Sequence, residues 1–333
     1  MMTRFRALSA VSIMCLALPA AACAEPAQET EAPATQTETA ATEAATPEPA
    51  AAEAAISAAD AIIAEAGDEA WRDVDHDRLI KIVTEHGDVW VELAPEFAPN
   101  HVARMIELAR EDFYDFRIWH RVIDGFMAQG GGQVGNANSN SDKDNLESEF
   151  TVMRTAEQIS IPEIQMRVAN PRSAPFNAPA GFWNGFQAGT QPVAQAAIRA
   201  DGMVESWLLH CKGAAAAART NDPNSANSQF YITRAEAPHL NAIYTVWGKV
   251  RVGQEAIDAL AVGTVGQDMG FSPDFIEDMV LAADLAEGER PRLQVIDTNG
   301  PAFAAYLDAL SAENGGALPD ICTIEVPVRI QEG

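Results

Sequence analysis

Basic residues are scarce in this chain. Its 333 residues hold 22 Lys+Arg against 48 Asp+Glu, a formal net charge of −26. Affinity for a phosphate backbone comes from cations that neutralise it, so a nucleic-acid partner is excluded, and an anionic membrane surface would repel the chain. Cysteine is scarce too: there are four, none in a C-x-x-C pair, too few for a disulfide scaffold or a zinc ribbon. The six histidines (76, 86, 101, 120, 210 and 239) lack H-x-x-x-H spacing, and neither H-E-x-x-H nor a G-x-S-x-G elbow occurs. No metal and no cofactor is therefore expected. Gly130 to Gly135 matches G-x-G-x-x-G, but Asn136 to Asn145 cannot supply the helix that dinucleotide binding needs. No repeat of 20–50 residues is visible. At 47% hydrophobic and 21% charged, most of the chain should fold, as one or two domains.

The charge is uneven. Arg4 and Arg6 precede an apolar stretch, Ala7 to Ala22, that is shorter than the roughly 20 residues a bilayer span needs. Residues 1–22 read as a secretory signal. Ala20-Ala21-Ala22-Cys23 resembles the lipobox of bacterial lipoproteins, with Ala20 where that family prefers Leu; the resemblance implies lipid attachment at Cys23, with ordinary cleavage as the alternative. Residues 24–55 are dominated by Ala, Glu, Thr and Pro, with no aromatic and no base, and lack the apolar surface to offset chain entropy. Residues 23–70 thus read as an acidic tether ending in a short helix between Ile56 and Ala66. Residues 24–70 carry 11 acids and no base, so the part from 71 onward holds 37 acids and 20 bases, a net charge of −17.

In that part, Leu79 to Val83 and Val89 to Leu93 alternate around Glu85-His86-Gly87-Asp88, which predicts a β-hairpin. Pro99-Asn100 opens a helix, with Asn100 as N-cap and Val102, Met105, Ile106 and Ala109 at helical spacing. Ile118 to Ile123, Gln229 to Thr233 and Tyr244 to Val250 read as strands. Antiparallel strands with few helices predict a closed barrel rather than a doubly wound sheet. Residues 151–207, rich in Pro, Asn, Gly and aromatics, read as a long loop or an elaboration of the core. Ala214 to Ala218 is helical by propensity among β-like neighbours.

His120-Arg121-Val122-Ile123, Gly125-Phe126-Met127 and Gln129-Gly130-Gly131 stand out. Taken alone, an arginine on an amphipathic strand before a tight turn accounts for them. Asn221-Asp222-Pro223-Asn224-Ser225 with Ser228-Gln229-Phe230, and then Trp247-Gly248-Lys249-Val250, follow in order. Together these segments resemble the cyclophilin family of peptidyl-prolyl isomerases, over roughly 78–150 and 208–262. The resemblance implies a mainly β fold, a closed antiparallel eight-stranded barrel capped by helices over 71–300. It would carry the 151–207 insertion and be followed by a C-terminal extension, 301–333.

The implied chemistry suits the residue types. An X–Pro bond resists rotation by about 18–20 kcal/mol because the nitrogen lone pair is delocalised into the carbonyl. A cation that hydrogen-bonds the nitrogen as it pyramidalises favours the twisted state over the planar one. By motif position Arg121 is the catalytic arginine, and Phe126, Met127, Tyr231 and Leu240 line an apolar slot for the proline ring. Gln129 would orient Arg121 or the substrate carbonyl, Gln229 and Thr220 would contact the substrate backbone, and Tyr244 would stand at the rim. His120 reads as a structural neighbour of Arg121 rather than an acid or base.

The chain departs from the pattern at several points. Tyr231 stands where the family has phenylalanine, so its hydroxyl needs a partner and the slot could be narrower or more polar. His239 stands for an aromatic residue and Gly132 for an aspartate. Ala214 to Ala218 replaces a strand of larger apolar residues; the kept spacing predicts a strand there with a smaller core. In the tail, Met279 to Ala283 could be the closing strand, Phe303 to Leu310 a helix and Cys322 to Ile330 an extra strand. Cys211 and Cys322 could pair in an oxidising periplasm or remain two buried thiols. The expected protein is a monomeric, periplasm-facing isomerase acting on proline-containing polypeptides. A proline-peptide-binding chaperone or an envelope docking module, each with little turnover, is the alternative.

Overall fold

The alternation at Leu79 to Leu93 folds as a hairpin. Strands Leu79–Thr84 and Gly87–Leu93 pair antiparallel around Glu85 and His86, with Thr84 opposite Gly87. A computed structural model describes residues 56–170, 172 and 177–331. The expected signal, the Cys23 attachment site and the 24–55 tether lie outside the described residues, as do Pro171 and 173–176. Helix α1 (Ala58–Ala64) starts where the Ser57 side chain accepts the Asp60 N–H at 3.0 Å, and its Ala59 is fully buried.

The hairpin belongs to a nine-stranded antiparallel sheet. Its order is Gly263–Thr264, Arg121–Ile123, Met127–Gly130, Phe230–Thr233, Ala214–Ala217, Val246–Val252, Gly87–Leu93, Leu79–Thr84 and Asp278–Leu281. The expected closed eight-stranded barrel is corrected here: the sheet is curled but open. The reason lies in the 117–123 segment, which divides its pairing. Arg121 and Val122 pair with Thr264 and Gly263, whereas Arg117 and Ile118 pair with Ile276 and Phe275 in a separate ladder. Between them the Trp119 N–H reaches only the Asp274 carbonyl, at 2.9 Å. The two ends of the sheet therefore do not meet. Core side chains such as Ile82, Val91, Trp119, Phe230, Trp247 and Met279 fill its concave side with α2 (Pro99–Arg110).

Helix α2 begins at Pro99, with Ala98 at the N-cap, so Asn100 lies inside the first turn. Glu149 caps it from a distance. Its two carboxylate oxygens accept the Asn100 and His101 backbone N–H groups at 3.0 Å each, and the charge suits the positive end of the helix.

The alanine run is a strand, Ala214–Ala217, buried along its whole length. Propensity loses because both of its faces are covered. Ala215 and Ala217 face Phe230, Ile232 and Trp247, whereas Ala214 and Ala216 face Tyr231, Val246 and the insertion's Trp183 and Phe186. With bulky side chains on both sides, small residues let the layers close.

The 151–207 insertion is not a loop. It folds as a five-stranded antiparallel sheet in the order Val152–Arg154, Val204–Leu208, Phe186–Thr190, Asn177–Trp183 and Glu163–Ala169. Its central hairpin turns at Asn184-Gly185, with φ of +46° and +81°. Two successive positive φ values make the turn that two-residue hairpins favour. Gly185 is needed twice over, because a Cβ there would lie 2.7 Å from Val295 Cγ1. Buried Arg154 stitches the insertion together through Ser206 Oγ (2.8 Å), Thr190 Oγ1 (2.9 Å) and the Ile159 carbonyl (2.6 Å).

The tail completes a second layer. Strand Arg292–Ile296 pairs with Trp71–Asp73 on one side and Val328–Gln331 on the other. Helix α4 (Pro301–Glu313) lies against α1 and the insertion, with Phe303 edge-on to Phe182 at 5.0 Å. Of the two alternatives for the cysteines, the disulfide is the one formed: Cys211 and Cys322 are bonded at 2.01 Å across a sequence separation of 111. Closing a loop of this length removes about 4–5 kcal/mol of denatured-state entropy on the chain-entropy account. Among the described residues no helix is long and apolar enough to cross a membrane.

A buried charge cluster latches the insertion onto the main sheet. Glu92, 3% exposed, receives Arg251 Nε at 2.7 Å and Arg72 at 2.8–2.9 Å. Both arginines then reach past it to the turn: Arg251 donates to the Gly185 carbonyl at 2.8 Å and Arg72 to the Asn184 carbonyl. Such a cluster adds little beyond an apolar equivalent, but removing its centre leaves two cations desolvated. Glu92→Gln is therefore expected to lower the unfolding free energy by about 3–5 kcal/mol, read by urea titration. A loss under about 1 kcal/mol would mean that the arginines are not held by this carboxylate.

Candidate active site

Register builds the site. Across adjacent strands Arg121 sits opposite Gln129, Gln129 opposite Tyr231, Tyr231 opposite Ala216 and Ala216 opposite Val246. Because side chains alternate along a strand, this row shares one face, and Met127 joins it two residues before Gln129. The face is the convex side of the sheet, away from the main core. A slot of about 120 Å³ opens over it, lined by Arg121, Phe126, Met127, Gln129, Ala218, Arg219, Tyr231, Leu240 and Tyr244. A larger groove of about 1000 Å³ runs between α1, α4 and the 322–328 segment, but none of the expected site residues lines it.

Seven of the nine residues expected for catalysis and substrate binding therefore come together in one slot. Met127 and Tyr231 form its buried floor, at 2% and 5% exposure, while Phe126, Leu240 and Tyr244 are half-buried walls. The other two stand elsewhere. Gln229 sits behind Gln129, and Thr220 lies on an exposed loop where its hydroxyl meets Ser225 Oγ at 2.8 Å. Among the described residues, none from the insertion lines the slot. The insertion supports it from below, where Ile159, Ile161, Trp183 and Phe186 share a cluster with Met127 and Tyr231.

Arg121 is held by neutral groups. Its Nη1 is 3.5 Å from Gln129 Oε1 and 4.0 Å from Met127 Sδ. Among the described residues no carboxylate pairs with it. The orientation of Gln129 is set from further back. Gln229 Nε2 donates to the Ala137 and Ser139 carbonyls at 3.2 and 2.8 Å, so its oxygen faces Gln129 and accepts from Nε2 at 3.1 Å. That leaves the Gln129 oxygen for the guanidinium. The glycine run allows this closeness: Gly131 has a φ of +96°, and a Cβ there would stand 3.3 Å from Gln229 Cα.

Tyr231 does not make the slot polar. Its hydroxyl turns away to His210 Nε2 at 3.0 Å, and Asn241 Oδ1 accepts the His210 backbone N–H at 2.9 Å and faces Nδ1 at 3.3 Å. The imidazole thus carries its hydrogen on Nδ1, and its Nε2 accepts the hydrogen bond that the tyrosine hydroxyl donates. Burial pushes His210 down to about 3, so it stays neutral at physiological pH, and desolvation raises the Tyr231 phenol well above its ordinary value. His120 is also buried, and desolvation lowers its pKa. It does not line the slot. His239 stacks on Phe126, ring centroids 5.6 Å apart, and so braces one wall.

Motif reading passed over Arg219. Its guanidinium lies 4.1 Å from the Tyr244 ring and 5.4 Å from the Phe150 ring. It donates to the Thr220 and Ile243 carbonyls at 2.7 and 2.9 Å. A basic residue beside Thr220 was visible in the sequence, but no spacing rule places it against Tyr244, 25 residues on. The slot can accept a small apolar ring on its floor while two cations and an amide meet the chain to either side.

The chain is similar to known proteins in sequence and in fold. The family model for cyclophilin type peptidyl-prolyl cis-trans isomerase/CLD matches residues 79–280. A probable peptidyl-prolyl cis-trans isomerase of Brucella suis is 31% identical over 212 residues, covering 63% of this chain and 85% of the relative. Peptidyl-prolyl cis-trans isomerase B of Escherichia coli is 24% identical over 219 residues, covering 63% of this chain and all of the relative. The crystal structure of the cyclophilin AquaCyp293 from Hirschia baltica superposes with a TM-score of 0.67 at 35% identity, covering 78% of this chain and 93% of that one.

Proposed function

The chain belongs to the cyclophilin-type peptidyl-prolyl cis-trans isomerases, and we propose that it turns X–Pro bonds in exported polypeptides by gripping the proline ring while Arg121 stabilises the twisted bond. The observation that carries the mechanism is a guanidinium whose partners among the described residues are all neutral, beside a slot with an apolar floor.

Phe126, Met127, Tyr231 and Leu240 hold the ring by contact and desolvation. With the ring fixed, rotation is left to the acyl side of the bond. As the bond twists, the nitrogen regains its lone pair and becomes an acceptor that the planar amide does not offer. Arg121 donates to it, so the interaction is stronger in the transition state than in the ground state. A planar, permanently charged fork serves this role better than lysine, whose charge is more strongly hydrated. One donor aimed at a group that develops in the transition state contributes about 3–4 kcal/mol, or a factor of ~10²–10³. Gln129 keeps the guanidinium turned to the slot and takes no proton. No nucleophile is called for, because no covalent bond is made or broken.

A polar slot at Tyr231 or a slot built in part by the insertion would favour the chaperone alternative. The phenol instead bonds His210 behind the floor, and the described residues of the insertion support the slot without lining it. Export, a periplasmic location and anchoring through an acylated Cys23 are likewise our proposal. They rest on the basic and apolar leader before Cys23 and on the Cys211–Cys322 disulfide, a bond that persists in oxidising compartments. We further propose that the protein works as a monomer.

Arg121→Ala is expected to keep the melting temperature and lose about 100-fold in kcat/KM on a proline tetrapeptide. Undiminished turnover by a folded Arg121→Ala protein would remove the arginine from the mechanism. For the anchor, mass spectrometry of the mature protein is expected to find an acylated Cys23 at the N-terminus; an unmodified terminus elsewhere would overturn it.

A further inference from the structure

The slot has a second cation that the isomerase chemistry does not use. Arg219 stands on the wall with Tyr244, and three contacts fix it: the Tyr244 face at 4.1 Å, the Thr220 carbonyl at 2.7 Å and the Ile243 carbonyl at 2.9 Å. These bonds occupy one N–H on each terminal nitrogen and leave the other on each without a partner among the described residues. Among the described residues no carboxylate pairs with Arg219, just as none pairs with Arg121. Among the described residues, the lining of the slot therefore includes two guanidinium groups and no carboxylate. This is notable in a folded part whose formal charge is −17. Most exposed surface of such a protein repels acidic peptides, and the slot is a local exception.

Resting on the reading of the slot as the proline site, we infer that Arg219 sets substrate preference, selecting proline segments with an Asp or Glu directly beside the proline. The physical argument is preorganisation. A guanidinium held over an aromatic face keeps its geometry without a substrate, so little side-chain entropy is lost when it meets a carboxylate. The same fixed charge penalises a lysine beside the proline, giving discrimination by repulsion as well as attraction.

The test uses the full-length protein and three tetrapeptides that differ only in one neighbour of proline, Glu, Ala or Lys. The set is made once with the variable residue before proline and once after it. The expected order of kcat/KM in at least one set is Glu above Ala above Lys, spanning about tenfold, equal to ~1.4 kcal/mol. The span should shrink at high salt. Arg219→Gln is expected to collapse the Glu-to-Lys ratio towards one, Arg219→Glu to invert it and Arg219→Lys to retain it. The ratio is read rather than the absolute rate, so a general loss of turnover does not mimic the effect. Equal rates on all peptides in wild type, or an unchanged ratio in Arg219→Gln, would overturn the inference. Failure of the underlying proline-site reading would look different, with wild type accelerating none of the peptides.

Discussion

The structure depends on keeping one arginine away from carboxylates. In a chain with 48 acidic residues, a free guanidinium would ordinarily find a partner, and a paired Arg121 could not turn to a prolyl nitrogen. The solution is a line of amides. The Ala137 and Ser139 carbonyls orient Gln229, Gln229 orients Gln129, and the Gln129 oxygen meets the cation. A neutral acceptor steers the guanidinium without neutralising it. Removing a member behind Arg121 would leave the charge in place and lose its direction, which is why Gln229 matters without lining the slot.

The rest of the molecule supports that row of residues from the other side. The Ala214–Ala217 strand lies between the main core and the insertion, and its small side chains let Trp183 and Phe186 approach the floor formed by Met127 and Tyr231. The insertion is tied down at its hairpin turn by Arg251 and Arg72, which Glu92 holds in place. The disulfide then joins the segment just before the alanine strand to the tail. These attachments hold the insertion where Ile159, Ile161, Trp183 and Phe186 pack under Met127 and Tyr231, so its described residues serve as a backing layer.

Much of the site was legible in sequence because it is local. Arg121, Phe126, Met127 and Gln129 fall on one hairpin, and strand alternation with a tight turn puts them on one face. Tyr231, Leu240 and Tyr244 could be placed only through the family resemblance, and they line the same slot. What escaped was non-local. Arg219 meets Tyr244 through space, and the Tyr231–His210–Asn241 chain joins three segments that no periodicity links. Gln229 stands behind Gln129 because its amide is taken by two backbone carbonyls in the 137–139 loop. Of the two readings of the insertion, loop or elaboration of the core, the second holds, and its sheet went unassigned although Asn184-Gly185 between Phe182-Trp183 and Phe186 is a strong hairpin signal. Its density of Pro, Asn and Gly masked the alternation. The expected barrel closure failed for a similar reason: nothing in 117–123 announces that the segment divides its pairing between two ladders.

The central claim is that one slot seats the proline ring and presents it to an uncompensated guanidinium. The most direct measurement is a crystal structure of the protein with a bound Ala-Pro-containing peptide. The account predicts the pyrrolidine ring on Met127 and Tyr231, between Phe126 and Leu240, with an Arg121 N–H directed at the prolyl peptide group. A proline seated in the groove beside α1 and α4, or an Arg121 turned away from the peptide, would contradict it.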